Sequence, residues 1–249
     1  MNERIVAKDS RRRFLKLAGA SAAAFAVGSL PMTAHAASGP SRKLKIGIIG
    51  SGRIGGTLGG IWAKAGHEVM FSSLDLEHDK ALAASVGPNA RAGTSREAAA
   101  FGDVILMAVP YRALPSLGKE LADVLKGKVV IDATNPIVAR DGDIGTWARE
   151  KGAGLASAEL LPGARIVRAF NAVGAARLPE IAQRKERPGM PIASDDASAI
   201  EAASRLIREV GFEPVPIGPL AMGRHLIPGT PLAGERSPGE IRQIAATLK

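Results

Sequence analysis

From Leu44 onward, short β-branched apolar runs alternate with alanine-rich stretches that suit helices. The runs read as strands at "LKIGIIG" (44–50), "HEVMFS" (67–72), "ARAG" (90–93), "DVILMAV" (103–109) and "KVVIDAT" (128–134). Further strands are expected at "ARIVRAF" (164–170), "MPIAS" (190–194) and "FEPVPIG" (212–218). A βαβα rhythm of this kind predicts an α/β fold, a doubly wound, mostly parallel sheet covered by helices on both faces. The clearest helix is "SDDASAIEAASRLIREVG". Ser194 and the two aspartates make an acidic, cap-competent start, while Ile200, Ala203, Leu206, Ile207 and Val210 recur at helical spacing. Gly211 supplies the left-handed stop. No internal repeat is visible, and the Pro/Gly-rich segment Pro216 to Gly239 reads as loop or lid rather than core.

Ahead of this rhythm stands a segment of another kind. "SRRRFLK" (Ser10 to Lys16) closes a basic stretch, Leu17 to Leu30 is weakly apolar, Pro31 breaks the run, and "AHA" (Ala34 to Ala36) offers small residues for cleavage. That order is the signature of a twin-arginine export signal over 1–36. The apolar run is about 14 residues long, short of the roughly 20 that span a bilayer, so no stable membrane anchor is expected. The implied partner is the Tat export machinery, which moves folded cargo, and the implied location is periplasmic or secreted. A short linker, 37–43, would join the signal to the mature domain. The whole chain has a net charge of +9, and removing the tag leaves 27 basic against 22 acidic residues, so much of the basicity belongs to the address label. With aromatics at 4%, nothing suggests a base-stacking surface, and no nucleic-acid partner is expected. The absence of cysteine excludes disulfides, thiol catalysis and cysteine-ligated metal; no metal site is expected.

The first run leads into "GIIGSGRIGGTLGG", which contains the G-x-G-x-x-G pattern Gly50-Ser51-Gly52-Arg53-Ile54-Gly55. Alone the pattern is weak. Here it follows an apolar run, opens a helix-compatible stretch, and is closed by a second strand from His67, a βαβ unit of about 30 residues. Gly50 permits the tight turn, Gly52 lets backbone approach a pyrophosphate, and Gly55 lets the helix pack near the strand. Free N–H groups at the helix start would meet the phosphates. Beyond the second strand, "FSSLDLEHDK" places Ser72 and Ser73 where a 2′-phosphate of NADP would be met, with Arg53 able to add charge. Asp75 would instead favour NAD. NADP is the expected cofactor because no acidic residue occupies the strand's last positions, and NAD is the alternative. His67 and His78 read as surface residues. In open α/β sheets ligands lie outside the carboxyl ends of the strands. Val109-Pro110-Tyr111 and Thr134-Asn135-Pro136 therefore fall beside the expected nicotinamide position, although Pro and Asn also end strands for plain turn reasons.

Together, "KIGIIGSGRIGGTLGGIWAKAGHEVMFSS", "DVILMAVPYRALP", "VVIDATNP" and "LLPGARIVRAFNAVG" resemble the NADP oxidoreductases dependent on the deazaflavin coenzyme F420, and the related NADPH domain of membrane ferric reductases. The resemblance runs from about Lys43 to about Gly223. It implies a Rossmann domain over 44–140 and a smaller C-terminal part, 141–249, that closes the acceptor site. It also implies that Gly50, Ser51, Gly52, Arg53 and Ile54 hold the pyrophosphate and that Ser72 and Ser73 hold the adenosine end. Val109, Pro110, Ala133 and Asn135 would flank the nicotinamide, with Phe170 and Asn171 lining the acceptor side. Leu74 stands where family members commonly carry arginine, and Ile227 where an acidic residue is often found.

Hydride transfer between two rings needs little acid–base machinery; the protein mainly holds donor and acceptor face to face with water excluded. The sequence has no H-E-x-x-H, no G-x-S-x-G and no paired carboxylates in a convincing frame. No side chain is assigned as catalytic; the candidates are Asn135 and, in the expected lid, His225 beside Arg224. The expected function is an exported NADP-dependent oxidoreductase passing hydride to a small-molecule redox acceptor, a flavin, the deazaflavin F420, or a ferric centre. The alternatives are reduction of a small carbonyl or imine and a non-catalytic dinucleotide-binding protein. A homodimer is compatible with all three.

Overall fold

The computed structural model describes residues 42–248. The expected export signal, 1–36, and most of the expected linker lie outside the described residues. Eight strands form one sheet: β1 (Lys45–Ile49), β2 (Glu68–Ser72), β3 (Ala90–Ala92), β4 (Val104–Met107), β5 (Val129–Asp132), β6 (Arg165–Arg168), β7 (Gly189–Ala193) and β8 (Glu213–Gly218). Seven lie within an expected apolar run, and β7 is shifted one residue ahead of its expected run, beginning at Gly189 and ending at Ala193. The helices are α1 (Arg53–Lys64), α2 (Leu76–Val86), α3 (Ser95–Phe101), α4 (Leu114–Glu120), α5 (Ala122–Leu125), α6 (Val138–Lys151), α7 (Ala153–Leu160), α8 (Leu178–Ile181), α9 (Ala197–Glu209) and α10 (Pro238–Thr247). In α6 the helix is interrupted at Gly142, whose φ is 60°. No helix of the described residues is long and apolar enough to cross a membrane.

The strand order is β3-β2-β1-β4-β5-β6-β7-β8. β1 to β6 pair in parallel, and the order reverses between β1 and β4, the switch point at which such sheets bind ligands. The two-residue period of the backbone divides the strands between two apolar layers. Val104 and Leu106 face the side of Trp62, Phe71, Leu206 and Phe212, whereas Ile105 and Met107 face Tyr111, Leu114, Leu121 and Leu161. Helices cover both faces, which is why these strands are apolar at consecutive positions.

β7 runs antiparallel to β6, and β8 returns parallel to β7 through α9. An antiparallel neighbour needs no crossover helix, so the link from 169 to 188 needs only short helical turns. The Pro216–Gly239 segment departs from its expectation as coreless loop. Its start is the end of β8, and Leu220, Leu226, Ile227 and Leu232 are all buried. Leu226 and Leu232 join Val215 and Ile241 in a third apolar cluster under α10. These side chains repeat with neither the helical nor the strand period, so pattern alone hides them.

His67 is a second correction. It is 2% exposed, Nδ1 accepts from the Leu44 backbone N–H at 3.0 Å, and Nε2 lies 2.6 Å from Glu209 Oε2 on α9. Since Nδ1 accepts, Nε2 carries the proton and donates. His67 thus ties the entry of β1 to α9, whose Glu209 lies 142 residues further along the chain than His67. His78 is exposed, as expected.

Candidate functional site

The glycine loop crosses the top of β1 at the switch point. Gly50 has φ 98°, and a Cβ there would lie 2.5 Å from the Ala108 carbonyl oxygen, so the turn and the contact with the β4 exit both demand glycine. Its N–H and that of Ser51 donate to the Ser72 carbonyl, pinning the loop to β2. At Gly55 a Cβ would sit 2.0 Å from the Gly50 oxygen, which fixes the close approach of α1 to the strand. Gly52 is different in kind, because a Cβ there would meet nothing within 4 Å. The space in front of Gly52 is open.

That open space faces a bare helix start. α1 has Gly52 at its N-cap, no side-chain cap and no acidic residue in its first turn. α2, α3, α9 and α10 are capped by Asp75, Thr94, Asp196 and Ser237, whereas α4 to α8 share with α1 the lack of a side-chain cap but do not open from the glycine loop. An uncapped N-terminus leaves backbone N–H groups without partners and a positive dipole end, the arrangement that suits a diphosphate. A cleft of about 530 Å³ lies in front of it. Ile49, Gly50, Ser51 and Gly52 make one wall; Ser73, Leu74 and Asp75 lie at one end, and Ala108, Val109, Pro110 and Arg112 at the other. The residues present therefore fit a nicotinamide dinucleotide. Arg53 is exposed, Ile54 half-buried and Gly55 buried on α1 behind the cleft wall.

At the adenosine end the two serines separate. Ser72 is fully buried and its hydroxyl donates to the Ile48 carbonyl at 2.7 Å, so it faces β1 and not the cleft. Its expected side-chain contact with the nucleotide does not hold. Ser73, one residue on, does line the cleft. Beneath it lies a residue that sequence reading missed, Asp79 on α2, which is 0% exposed and accepts from the hydroxyls of both Ser51 and Ser73. Asp75 caps α2 by accepting from the His78 N–H at 3.0 Å.

Ala133 and Asn135 follow β5 and sit on a buried polar network. Asp132 and Arg168 form an ion pair at 2.6 Å with both side chains at 0% exposure. Asp132 also accepts from the Thr134 N–H and hydroxyl, and Arg168 donates to the carbonyls of Thr134 and Leu226. Asn171 donates to the carbonyls of Asp132 and Thr134, and Asn135 donates to the Asn171 carbonyl at 2.7 Å. The side-chain oxygens of Asn135 and Asn171 are buried with no protein donor. Leaving such acceptors unpaired is costly, so the loops after β5 and β6 each hold an acceptor open to a donor; Ala133, Asn135 and Asn171 are themselves not among the residues lining the cleft.

Phe170 does not line this region, contrary to expectation. Its φ of 64° is unusual for a bulky residue. The ring is buried, edge-on to Trp62 at 6.2 Å and Phe212 at 6.3 Å. The aromatic ring goes into the core while Asn171 turns towards β5. Neither His225 nor Arg224 is among the residues lining the cleft. His225 is half-buried, and its carbonyl accepts from Thr230. Tyr111 is fully buried and bonded to Ser157, and burial pushes its phenol up, so it stays neutral at ordinary pH and supplies no phenolate.

Asp141 joins the two loops beside the nicotinamide end. Its carboxylate accepts from the backbone N–H of Arg112, after β4, and of Ile137, after β5, and from the Arg140 guanidinium. Burial works to raise this carboxyl, but the Arg140 and backbone bonds outweigh it and the net direction is down. A carboxyl lowered on folding stabilises the native state above its unfolded value of about 3.9, and that contribution fades as pH falls through the lower native value. Asp141→Asn is therefore expected to lower the melting temperature at pH 7 and to shrink that deficit below about pH 4. Thermal unfolding followed across pH checks this; a deficit independent of pH contradicts it.

A helix start without a cap, a glycine turn and a cleft at the switch point define a dinucleotide-binding α/β protein. The family model for NADP oxidoreductase coenzyme F420-dependent matches residues 45–136. The chain is 31% identical over 205 residues to the F420-dependent NADP reductase of Methanothermobacter thermautotrophicus, covering 76% of this chain and 87% of that protein. It is 30% identical over 187 residues to Metalloreductase STEAP3 of Rattus norvegicus, covering 75% of this chain and 36% of that longer protein. Among solved structures, the hypothetical protein SMa0349 from Sinorhizobium meliloti matches with a TM-score of 0.66 at 28% identity, over 78% of this chain and 94% of that one. The chain belongs to the coenzyme F420-dependent NADP oxidoreductase family, and it is an oxidoreductase of NADP-binding type.

Proposed function

We propose that this protein is an exported reductase that passes hydride between a nicotinamide dinucleotide and a flavin-like or deazaflavin acceptor; a ferric centre, which takes one electron at a time, would be reduced only through such a flavin. The observation that carries the reading is the bare start of α1 opening onto the cleft at the β1/β4 switch point. Backbone N–H groups of the glycine loop would hold the diphosphate, Ser73 the adenosine end, and Val109, Pro110 and Asn135 the nicotinamide end. When bound, the nicotinamide supplies the hydride. The chain itself binds, orients and excludes water. Val109 and Pro110 offer an apolar wall, Asp141 keeps the two loops in register, and Asn135, on the loop after β5, carries a side-chain oxygen that no protein donor satisfies.

An acceptor that receives hydride without a matched proton donor suits these residues better than a carbonyl or imine. The phenol of Tyr111 is locked in the core, and His225 is outside the cleft lining. The twin-arginine signal supports export of the folded protein, and an exported dinucleotide enzyme has no cytoplasmic pool from which to renew its cofactor. We infer that the nucleotide travels out bound and is recycled in place. Mass spectrometry of protein isolated from the periplasm under native conditions is expected to find one nicotinamide dinucleotide per chain. Its absence, with the nucleotide exchanging freely on the timescale of turnover, would contradict the recycling scheme.

A further inference from the structure

The adenosine end of the cleft carries an arrangement that bears on which dinucleotide it takes. Asp79 is wholly buried, and both of its oxygens are occupied by serine hydroxyls, Oδ1 by Ser51 and Oδ2 by Ser73 at 2.9 Å. A serine hydroxyl has one proton to give and two lone pairs to offer. Ser73 gives its proton to Asp79, within reach also of the Asp75 carbonyl at 3.2 Å, and accepts from the Asp75 N–H at 3.1 Å. Ser51 and Ser73 both line the cleft, and with their protons turned inward they present lone pairs to it.

A ribose 2′-hydroxyl can donate to such lone pairs. A 2′-phosphate cannot, because it is an acceptor needing donors or cations. The next position offers neither: Leu74 is 108% exposed and apolar, and Asp75 beside it is acidic. Among the residues lining the cleft the cation is Arg112, which belongs to the loop after β4 and not to the β2 side. The carboxylate of Asp79 adds a negative charge directly beneath the two serines.

We infer that Asp79, acting through Ser51 and Ser73, removes the preference for a 2′-phosphate, so that this chain binds NAD(H) at least as well as NADP(H). Asp79 is a positioning residue here. The inference rests on the reading that the cleft holds a nicotinamide dinucleotide, and it concerns which one.

Calorimetric titration of the purified full chain, freed of bound nucleotide, with NADH and NADPH reads the ratio of the two dissociation constants directly. The expected wild-type result is NADPH no tighter than NADH. Asp79→Asn keeps the side-chain size but replaces one acceptor oxygen by an amide donor, so one serine proton is released to the cleft. NADPH is then expected to tighten by about tenfold relative to NADH, a shift in ratio that a general loss of packing would not produce. Leu74→Arg, at an exposed position that leaves the core intact, is expected to tighten NADPH by about tenfold with NADH little changed. Wild-type protein that binds NADPH more than about tenfold tighter than NADH would overturn the inference. So would an unchanged ratio in Asp79→Asn, or a Leu74→Arg chain indifferent to the phosphate. If neither nucleotide binds, the underlying reading of the cleft fails and this inference goes with it, an outcome distinct from the other three.

Discussion

Gly52→Asp is expected to weaken dinucleotide binding by at least about 100-fold, equivalent to about 2.7 kcal/mol, while leaving the protein as stable as before or more so. The two halves of this expectation come from the same geometry. Gly52 has φ −65° and ψ −160°, an extended conformation that an aspartate at an N-cap adopts, and a Cβ there meets no atom within 4 Å. The new carboxylate would accept from the free N–H groups of the first turn, a capping contact that contributes about 0.5–2 kcal/mol. The same contact places a negative charge where the diphosphate belongs and consumes its donors. Thermal unfolding and nucleotide titration on the one variant separate the effects. Lost binding together with a fallen melting temperature would mean disruption of the loop rather than competition for its amides.

Arg168→Met is expected to destabilise the fold by about 3–5 kcal/mol, because it leaves Asp132 as a buried carboxylate without its counter-charge. That is a large share of the roughly 5–15 kcal/mol typical of a whole domain. Both members of the pair are fully buried, and Arg168 also holds the carbonyls of Thr134 and Leu226. The double variant Asp132→Asn with Arg168→Met removes both charges and is expected to recover most of the loss. Circular dichroism melts of the single and double variants check this. A double variant as unstable as Arg168→Met alone would show that the carbonyl contacts, not the charge pair, dominate.

The strands were legible from sequence because each apolar run is bounded by glycine, proline or polar residues, and the central ones, β4 and β5, are buried at every position. The glycine fingerprint was legible for a different reason: backbone positions at Gly50 and Gly55 admit no other side chain, so the constraint is written in residue type. What escaped were features set by pairing at a distance. Asp132 and Arg168 are 36 residues apart, Ser51 and Asp79 are 28 apart, and no spacing rule links them. A charged residue inside the apolar run "ARIVRAF" was the signal available, and it points to burial without naming a partner. The antiparallel entry of β7 escaped as well, since strand direction depends on the connection and not on strand composition. Ser72 and Ser73 show how little separates a site residue from a core one. A single step along an extended chain reverses the side chain, so the end of β2 determines which serine reaches the cleft.

The central claim is that backbone amides at the start of α1 grip a diphosphate. Amide proton and nitrogen chemical shifts of the protein, followed as a nicotinamide dinucleotide is added, test it most directly. The account predicts that the amides of Gly52, Arg53 and Ile54 move most, in step with the binding curve. Saturation of the protein with those three amides unmoved and another surface perturbed would contradict it.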